Sequence, residues 1–221
     1  MDSGTIAKKF YKDLGVQKFK NTAKKFRVDD DIVFVKKYSK KTDLILDLAC
    51  GYGRIAIPLA KSGFRVTGID ISNNLIFEAR RSARRMGAKV DFDTGDMRKL
   101  PYPDKSFDKI FCMWNSFNDL LTRQDQVKTL NEIYRILKPK GRAFMVLLNG
   151  EDRGLQKELR ENGIGKEKRI WKDLLQGVVF HMYVHDRSSV KSLCRKSQFK
   201  KCKISLRRMN GRKRILVELE K

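Results

Sequence analysis

The sequence predicts an α/β fold in which helices cover both faces of a mostly parallel β-sheet. Apolar segments of strand length alternate with amphipathic segments of helix length, as expected for buried parallel strands and the helices that connect them. The first strand segment, Leu44–Leu48, runs into the glycine turn Cys50–Gly53. The second strand segment is followed directly by an acid, Asp70. Together these features are typical of an open sheet that binds a nucleoside-like ligand.

Residues 1–41 precede the first strand and are predicted to form a helical cap. Apolar residues at helical spacing indicate one helix face: Ile6, Phe10, Tyr11 and Leu14. A second helix is expected to begin in the acidic run Asp29–Asp31 and to continue to Tyr38.

Residues 42–148 contain the predicted centre of the sheet. Five strands are expected, at Leu44–Leu48, Arg65–Ile69, Lys89–Asp93, Lys109–Met113 and Arg142–Leu148. Helices are predicted at Arg54–Lys61 and Arg123–Leu137, and the sequence Lys138–Gly141 ends the second of them.

The turn after the first strand has the composition of a ligand-binding loop. Gly51 and Gly53 let the backbone bend sharply and leave no side chain between the backbone and a ligand. Asp70 lies at the carboxyl edge of the sheet, where an acid can accept hydrogen bonds from both hydroxyls of a ribose. The segment Gly51–Ala56 also matches the dinucleotide pattern G-x-G-x-x-G/A, so this motif alone leaves a dinucleotide cofactor open.

An insertion is predicted after the fifth strand, over residues 149–186. Within it, Ile170–Leu175 and Val178–Val184 flank a Gln-Gly turn, which predicts a β-hairpin. The insertion is a candidate lid, and whether it moves as one stays open.

Residues 187–221 are predicted to complete the sheet. A helix is expected at Ser188–Ser197, followed by two strands, Cys202–Met209 and Lys213–Glu220. The strands enclose the pair Asn210-Gly211, which is a strong hairpin signal.

The order of these motifs resembles the class I, S-adenosylmethionine-dependent methyltransferases. In that family an acid in the first strand precedes a turn of small residues, as Asp47 precedes Ala49–Gly53 here. The resemblance continues through Asp96 after the third strand, the Trp114 loop after the fourth and the Lys138–Gly141 turn before the fifth. It implies a Rossmann-like, doubly wound, mostly parallel seven-stranded sheet with an antiparallel C-terminal hairpin, N-terminal helices and a small inserted β segment.

The resemblance implies S-adenosyl-L-methionine as the cofactor, bound at the carboxyl edge of the sheet. The turn backbone would contact the methionine part, Asp70 the ribose and Asp96 the adenine amino group. The full set of implied cofactor-binding residues is Asp47, Ala49, Gly51, Tyr52, Gly53, Asp70, Ile71, Asp96, Met97 and Trp114. Ala49 stands where the family often has glycine, so we expect an altered backbone preference there.

The implied activity is in-line transfer of a methyl group to a nitrogen or oxygen acceptor. The catalytic residue is unknown, but such an acceptor usually needs a group that frees its lone pair. Four polar residues near the expected mouth are candidates: Asn115, Asp119, His181 and His185. The two histidines are four residues apart, which on a strand places them on the same side of the sheet.

Charge indicates an anionic partner. The formal net charge at pH 7 is +24, of which residues 1–41 contribute +7, residues 42–150 +6 and residues 151–221 +11. Arginines and a lysine cluster at the terminal turn, in Arg207-Arg208 and Arg212–Arg214. Because such a field attracts polyanions, we expect RNA (tRNA or rRNA) or another anionic acceptor, bound through the basic N- and C-terminal surfaces.

Two alternatives stay open. The compact size and the lack of a recognisable RNA-binding module favour a methyltransferase of small molecules. A nonenzymatic, basic nucleic-acid-binding protein of the same fold is the second alternative. The loop Trp114–Phe117 lacks the Asp/Asn-Pro-Pro-Tyr pattern of enzymes that methylate exocyclic base nitrogens, which argues against that subclass.

Composition predicts one cytoplasmic domain over residues 1–221. The length suffices for a full core, and no linker rich in Pro, Gly or Ser divides the chain. No apolar run is long enough to span a membrane and the N-terminus lacks a signal pattern, so no membrane partner is expected. The four cysteines form no Cys-x-x-Cys pair, so neither a metal site nor a redox pair is predicted. The oligomeric state stays open.

Overall fold

The computed structural model describes residues 2–23, 28–161, 169–209 and 211–221. The helices are α1 (Ser3–Leu14), α2 (Val16–Ala23), α3 (Val28–Tyr38), α4 (Ala56–Lys61), α5 (Asn73–Arg85), α6 (Arg123–Ile136), α7 (Arg153–Glu161) and α8 (Arg187–Lys196). The strands are β1 (Leu44–Leu48), β2 (Arg65–Asp70), β3 (Asp91–Thr94), β4 (Phe107–Cys112), β5 (Leu137–Leu147), β6 (Ile170–Leu175), β7 (Val178–Tyr183), β8 (Lys201–Met209) and β9 (Arg212–Glu220). A short 3-10 helix spans Ser116–Asp119.

Seven strands form one sheet in the order β3-β2-β1-β4-β5-β9-β8. Strands β1 to β5 are parallel, and β9 runs antiparallel to both β5 and β8. The order reverses between β1 and β4, which is where open α/β sheets bind ligands. Strands β6 and β7 form a separate hairpin. The predicted Rossmann-like sheet with an antiparallel terminal hairpin is therefore confirmed.

Both faces of the sheet are covered by helices. Along β1, Ile45 packs into a cluster with Phe34 of α3, whereas Leu46 packs into a second cluster with Ile133 of α6 and Leu193 of α8. Ile45 and Leu46 are both completely buried. A strand buried on both faces is apolar at successive positions, which explains why β1 is readable from the sequence.

Several element boundaries differ from the predictions. Strand β3 begins at Asp91 instead of Lys89, and β4 begins at Phe107 instead of Lys109. The predicted stop Lys138–Gly141 lies inside β5, because α6 ends at Ile136 and the β4–β5 register shifts around this segment. Residues 138–141 include extra residues within β5, so this strand begins before the apolar segment that predicted it.

Three helices were not predicted: α2, α5 and α7. The boundary between α1 and α2 is Gly15, whose φ of 72° ends the first helix. Helix α5 begins after Ser72, whose side chain accepts a hydrogen bond from the Leu75 backbone N–H. Of the helices in the described ranges, none is both long and apolar enough to cross a membrane.

The C-terminal elements are joined covalently. Cys194 at the end of α8 and Cys202 at the start of β8 form a disulfide, with their Cα atoms 6.5 Å apart. The spacing of these cysteines did not indicate a pair; they meet because the chain reverses between the helix and the strand. In the terminal hairpin, Gly211 has a φ of 78°, while Asn210 of the predicted turn lies outside the described residues.

Gly53 is required where the turn after β1 packs against the core. Its φ is 79°, and a Cβ there would lie 2.8 Å from Cζ of Phe92 and 2.9 Å from Cδ1 of Ile57. Both neighbours are buried, so they have no solvent into which to move. Gly87 has a similar φ of 64°, but a Cβ there would meet no atom of the described chain within 4 Å.

We therefore predict that Gly53→Ala lowers the free energy of unfolding by about 1–3 kcal/mol more than Gly87→Ala does. Both variants carry the same left-handed backbone strain, so the difference isolates the overpacking. Chemical denaturation of the two variants measures it. Equal losses of stability would show that the neighbours of Gly53 give way without cost.

Candidate active site

The glycine turn is held in place by the carboxylate of Asp70. Its Oδ2 accepts a hydrogen bond from the Gly51 backbone N–H at 2.8 Å, and its Oδ1 accepts one from the Ser72 N–H at 2.9 Å. Burial raises the pKa of Asp70, and these backbone hydrogen bonds act in the opposite direction. Each oxygen keeps further acceptor capacity, so Asp70 can hold the turn and still bind a hydroxyl group.

Asp47 of β1 is buried close behind the same turn. Burial, opposed by Arg54 and supported by Asp70, raises the pKa of Asp47 to about 7. Its Oδ2 has no hydrogen-bond partner among the described residues. A buried carboxylate oxygen without a donor is rare in folded proteins, and it marks a position where a ligand N–H or O–H would be stabilised.

The backbone is strained at the carboxyl ends of β1 and β4. Ala49 has a φ of 61°, in the region that glycine prefers, and this accords with the altered backbone preference expected there. After β4, Trp114 and Asn115 have φ values of 59° and 65°. Non-glycine residues in this conformation cluster at functional sites, and here they lie on both sides of the sheet's switch point.

A cavity of about 340 Å³ opens at this edge of the sheet. Six of the predicted cofactor-binding residues line it: Asp47, Ala49, Gly51, Tyr52, Asp70 and Trp114. We call it the larger cavity, to distinguish it from a smaller one beneath α1.

The larger cavity continues between the N-terminal helices and the β6–β7 hairpin, where its wall is mostly apolar. The residues that form this wall are Phe10 and Phe19 of the cap and Trp171, Leu174, Leu175, Phe180 and Met182 of the insertion. The rings of Phe10 and Phe180 lie 6.2 Å apart, and those of Phe19 and Trp114 lie 5.9 Å apart. The cap and the insertion thus meet above the predicted cofactor edge.

A second, smaller cavity of about 40 Å³ lies beneath α1. Three more of the predicted residues line it: Ile71, Asp96 and Met97. Tyr11, Ala49, Asp70 and Ser116 line both cavities, so the two spaces adjoin. Gly53 lines neither of them, because it packs against Phe92 and Ile57.

Asp96 is already engaged by an arginine. Arg98 binds it through Nε at 3.0 Å and Nη2 at 2.7 Å, and also binds Asp2 and Asp125 at 2.8 and 3.2 Å. Burial raises the pKa of Asp96, but the hydrogen bonds from Arg98 outweigh it and leave the pKa below its usual value. The predicted contact of Asp96 with an adenine amino group stays a prediction, and any such contact shares the carboxylate with Arg98.

Two of the four catalytic candidates lie at the cavities. Asn115 lines the larger cavity, and its Oδ1 accepts a hydrogen bond from Nη1 of Arg214 at 3.3 Å. Asp119 lines the smaller cavity, and its Oδ2 accepts a hydrogen bond from the Tyr11 hydroxyl at 2.9 Å. Burial raises the pKa of Asp119 to about 7, while the hydrogen bond from Tyr11 acts in the opposite direction.

The two histidines lie away from both cavities. In β7 the neighbours Phe180 and Met182 face the larger cavity, so His181 between them points to the opposite face. His185 is completely buried beside Tyr183, with its Nδ1 3.4 Å from Oγ of Ser189, and burial lowers its pKa to about 3. The prediction that both lie on one side of one strand is wrong, because β7 ends at Tyr183.

Three arginines at the larger cavity were not predicted as site residues: Arg54, Arg212 and Arg214. Arg54 pairs with Asp31, and its guanidinium carbon lies 4.4 Å from the centre of the Trp114 ring. The sequence shows Arg54 only as the residue after the glycine turn. Arg212 and Arg214 were interpreted as part of an exposed basic cluster, since no sequence signal indicates which face of β9 meets a cavity.

Comparison with known proteins finds methyltransferases that are similar to part of this chain. Residues 45–141 match a family model described as a methyltransferase domain. YqeM of Bacillus subtilis, named as a methyltransferase, is 40% identical over 97 residues, which are 44% of this chain and 39% of that protein. The demethylmenaquinone methyltransferase of Thermus thermophilus is 38% identical over 104 residues, which are 46% of each chain. The chain therefore spans less than half the length of these relatives.

Solved structures match over a larger part of the chain. The PH0226 protein of Pyrococcus horikoshii has a TM-score of 0.70 and 26% identity, covering 92% of this chain and 91% of that one. The magnesium protoporphyrin IX methyltransferase of Synechocystis, solved with bound SAH, has a TM-score of 0.74 and covers 98% of this chain and 99% of that one. Its identity is 17%, so this second likeness concerns the fold alone.

The raised pKa of Asp119 predicts a pH-dependent stability. Because the folded state holds this proton up to about pH 7, it binds more protons than the unfolded state above about pH 4, and stability falls as the pH rises through this window. Asp119→Asn keeps an oxygen for the Tyr11 hydroxyl and carries no charge. We expect the variant to exceed the wild type by roughly 2 kcal/mol in free energy of unfolding at pH 8 and to match it near pH 4.

Chemical denaturation at pH 4.5, 6 and 8 measures this difference. Asp13→Asn, which changes an exposed aspartate on the same cap helix as Tyr11, serves as the control and should give a curve parallel to that of the wild type. If the Asp119→Asn curve is also parallel, the carboxyl of Asp119 does not titrate as described.

Proposed function

We propose that the protein transfers a methyl group to a small acceptor with a mostly apolar body. The premise is that residues 45–141 form a domain of the class I S-adenosylmethionine-dependent methyltransferase family. The observation that carries this proposal is the apolar wall of the larger cavity, which continues directly from the predicted cofactor residues. A cavity of about 340 Å³ that is lined by aromatic and aliphatic side chains has the size and chemistry of a small-molecule site.

The residues at the sheet edge fit S-adenosylmethionine. The glycine turn exposes backbone without side chains, Asp70 keeps acceptor capacity for hydroxyl groups, and Oδ2 of Asp47 has no donor among the residues that the structure describes. When bound, the cofactor supplies a methyl group already activated on a positively charged sulfur. The protein then needs to position the acceptor and to exclude water.

The chain offers specific groups for these tasks. The aromatic rings of Phe10, Phe19 and Trp171 exclude water from the acceptor side of the larger cavity. Asp119 is the proposed group for taking a proton from the acceptor, since its pKa lies near 7 and it lines the adjoining cavity. The Trp114 ring already lies against the guanidinium of Arg54, so its face is shared with a cation.

The name of one similar protein agrees with a small acceptor. This relative is named as a demethylmenaquinone methyltransferase. The name refers to a small molecule with a large apolar part, which the apolar wall of the larger cavity would suit.

RNA or another polyanion is the second candidate acceptor, and the formal charge of +24 favours it. Arg208 and Lys213 face each other across the terminal hairpin and are exposed, as a phosphate-binding surface requires. However, Arg212 pairs with Glu158 and Arg214 is buried at the larger cavity, so part of the predicted basic cluster is used inside the protein. A nonenzymatic nucleic-acid-binding role would use the same exposed surface.

Cofactor binding gives the first test. We expect wild-type protein to bind S-adenosylhomocysteine in calorimetry and Asp70→Asn to bind it at least about tenfold more weakly, because the ribose hydroxyls lose a charged acceptor. Asp91→Asn, on an exposed residue of β3, should leave the affinity unchanged. Melting curves of both variants separate loss of binding from loss of folding. Unchanged affinity in folded Asp70→Asn would contradict the role of Asp70.

Acceptor identity gives the second test. The protein is incubated with S-adenosylmethionine labelled in its methyl group and with fractionated cell extract, and the labelled fraction is identified. We expect label in the small-molecule fraction, and we expect Trp171→Ala to reduce it without changing affinity for S-adenosylhomocysteine. RNA would be favoured instead if nuclease treatment released the label and if the affinity of the protein for RNA fell steeply between low and moderate salt.

A further inference from the structure

Arg214 is a buried cation that no carboxylate of the described residues neutralises directly. The residue is 7% exposed, and it lines the larger cavity from strand β9. One donor, Nη1, is held by Oδ1 of Asn115 at 3.3 Å. A guanidinium carries five N–H donors, and no described carboxylate lies within 4 Å of this one.

The other two arginines of the larger cavity differ from Arg214 in this respect. Arg54 forms an ion pair with Asp31, and Arg212 forms one with Glu158 at 2.8 Å. Across the hairpin, Arg207 faces Arg214 in the strand register, but its guanidinium lies against the ring of Phe34 and does not line the cavity. Among the described residues that line the larger cavity, the positive charge without a close ion pair is therefore that of Arg214.

Arg214 stays charged at neutral pH. Burial and the neighbouring Arg212 lower its pKa to about 10, while the more distant carboxylates of Asp152, Asp31 and Glu158 act in the opposite direction. A charge withdrawn from water without a close counter-ion is costly to the folded protein. An anionic ligand would remove this cost on binding.

We infer that Arg214 forms an anion subsite in the acceptor part of the larger cavity, and that the acceptor is an apolar molecule carrying a carboxylate or a phosphate group. This inference rests on the proposed function, because it takes the larger cavity to be the acceptor site. The planar fork of a guanidinium binds either oxyanion through two parallel hydrogen bonds. Asn115 fixes the fork by holding one of its donors, and the apolar wall accommodates the body of the ligand.

The test compares two probes with the same aromatic body, 2-naphthoate and its uncharged analogue 2-naphthamide. Their affinities for the full chain are measured by calorimetry, with and without saturating S-adenosylhomocysteine. We expect wild-type protein to bind 2-naphthoate about tenfold more tightly than 2-naphthamide. We expect Arg214→Gln to remove this preference while its affinity for 2-naphthamide stays unchanged.

Matched variants control for charge and folding. Arg207→Gln removes the facing arginine outside the cavity and should keep the preference for 2-naphthoate. Arg214→Lys keeps the charge but loses the fork, so it should retain a smaller preference for 2-naphthoate over 2-naphthamide. If Arg214→Gln does not fold, Arg214→Lys is used in its place. Equal affinity of the two probes in wild-type protein, or an unchanged preference in Arg214→Gln, would overturn the subsite.

The carboxylate of the cofactor is the other possible source of the anion. If Arg214→Gln weakens binding of S-adenosylhomocysteine by about tenfold, Arg214 serves the cofactor, and the acceptor subsite is overturned. If wild-type protein does not bind S-adenosylhomocysteine at all, the proposed function fails. The preference for 2-naphthoate, measured in the absence of S-adenosylhomocysteine, still decides whether Arg214 binds an anion.

Discussion

The candidate site depends on the hydrogen bonds that Asp70 accepts from the Gly51 and Ser72 backbones. They tie the end of β2 to the turn after β1, and so set the position of the exposed backbone on which the cofactor assignment depends. The same arrangement brings Asp70 close enough to Asp47 to raise the pKa of that second carboxyl. The Asp70 carboxylate therefore sets the backbone of the turn and also adds, less than burial does, to the raised pKa of Asp47.

The central strands and the glycine turn were predictable because their signals are local. Strand β1 is apolar at successive positions, and Asp70 follows β2 directly in the sequence. The helix α5 carries many charged residues and was missed, although its cap Ser72 is visible in the sequence. Arg214 could not be identified, because only the pairing of β9 with β5 decides which of its side chains reach the cavity. His185 was expected on the same strand as His181, but β7 ends at Tyr183, before the end of the apolar segment that predicted the strand.

The two parts of the larger cavity come from different parts of the chain. Its cofactor edge lies within residues 45–141, the segment that matches the family model. Its apolar wall and Arg214 come from the cap, the insertion and β9, all outside that segment. Similarity to relatives therefore bears on the methyl donor, while the proposal for the acceptor rests on the flanking segments. This division explains why the donor could be inferred from motifs and the acceptor had to be inferred from the cavity.

The size of the smaller cavity has a consequence for a bound nucleoside. The space beneath α1 has room for only one or two water molecules, far less than an adenine ring needs. Helix α1 is held there by the hydrogen bonds of Ser3 to Asp125 and of Tyr11 to Asp119, and by the ion pair of Arg98 with the half-exposed Asp2. A nucleoside would fit beside Asp96 only after these contacts had shifted and the space had widened.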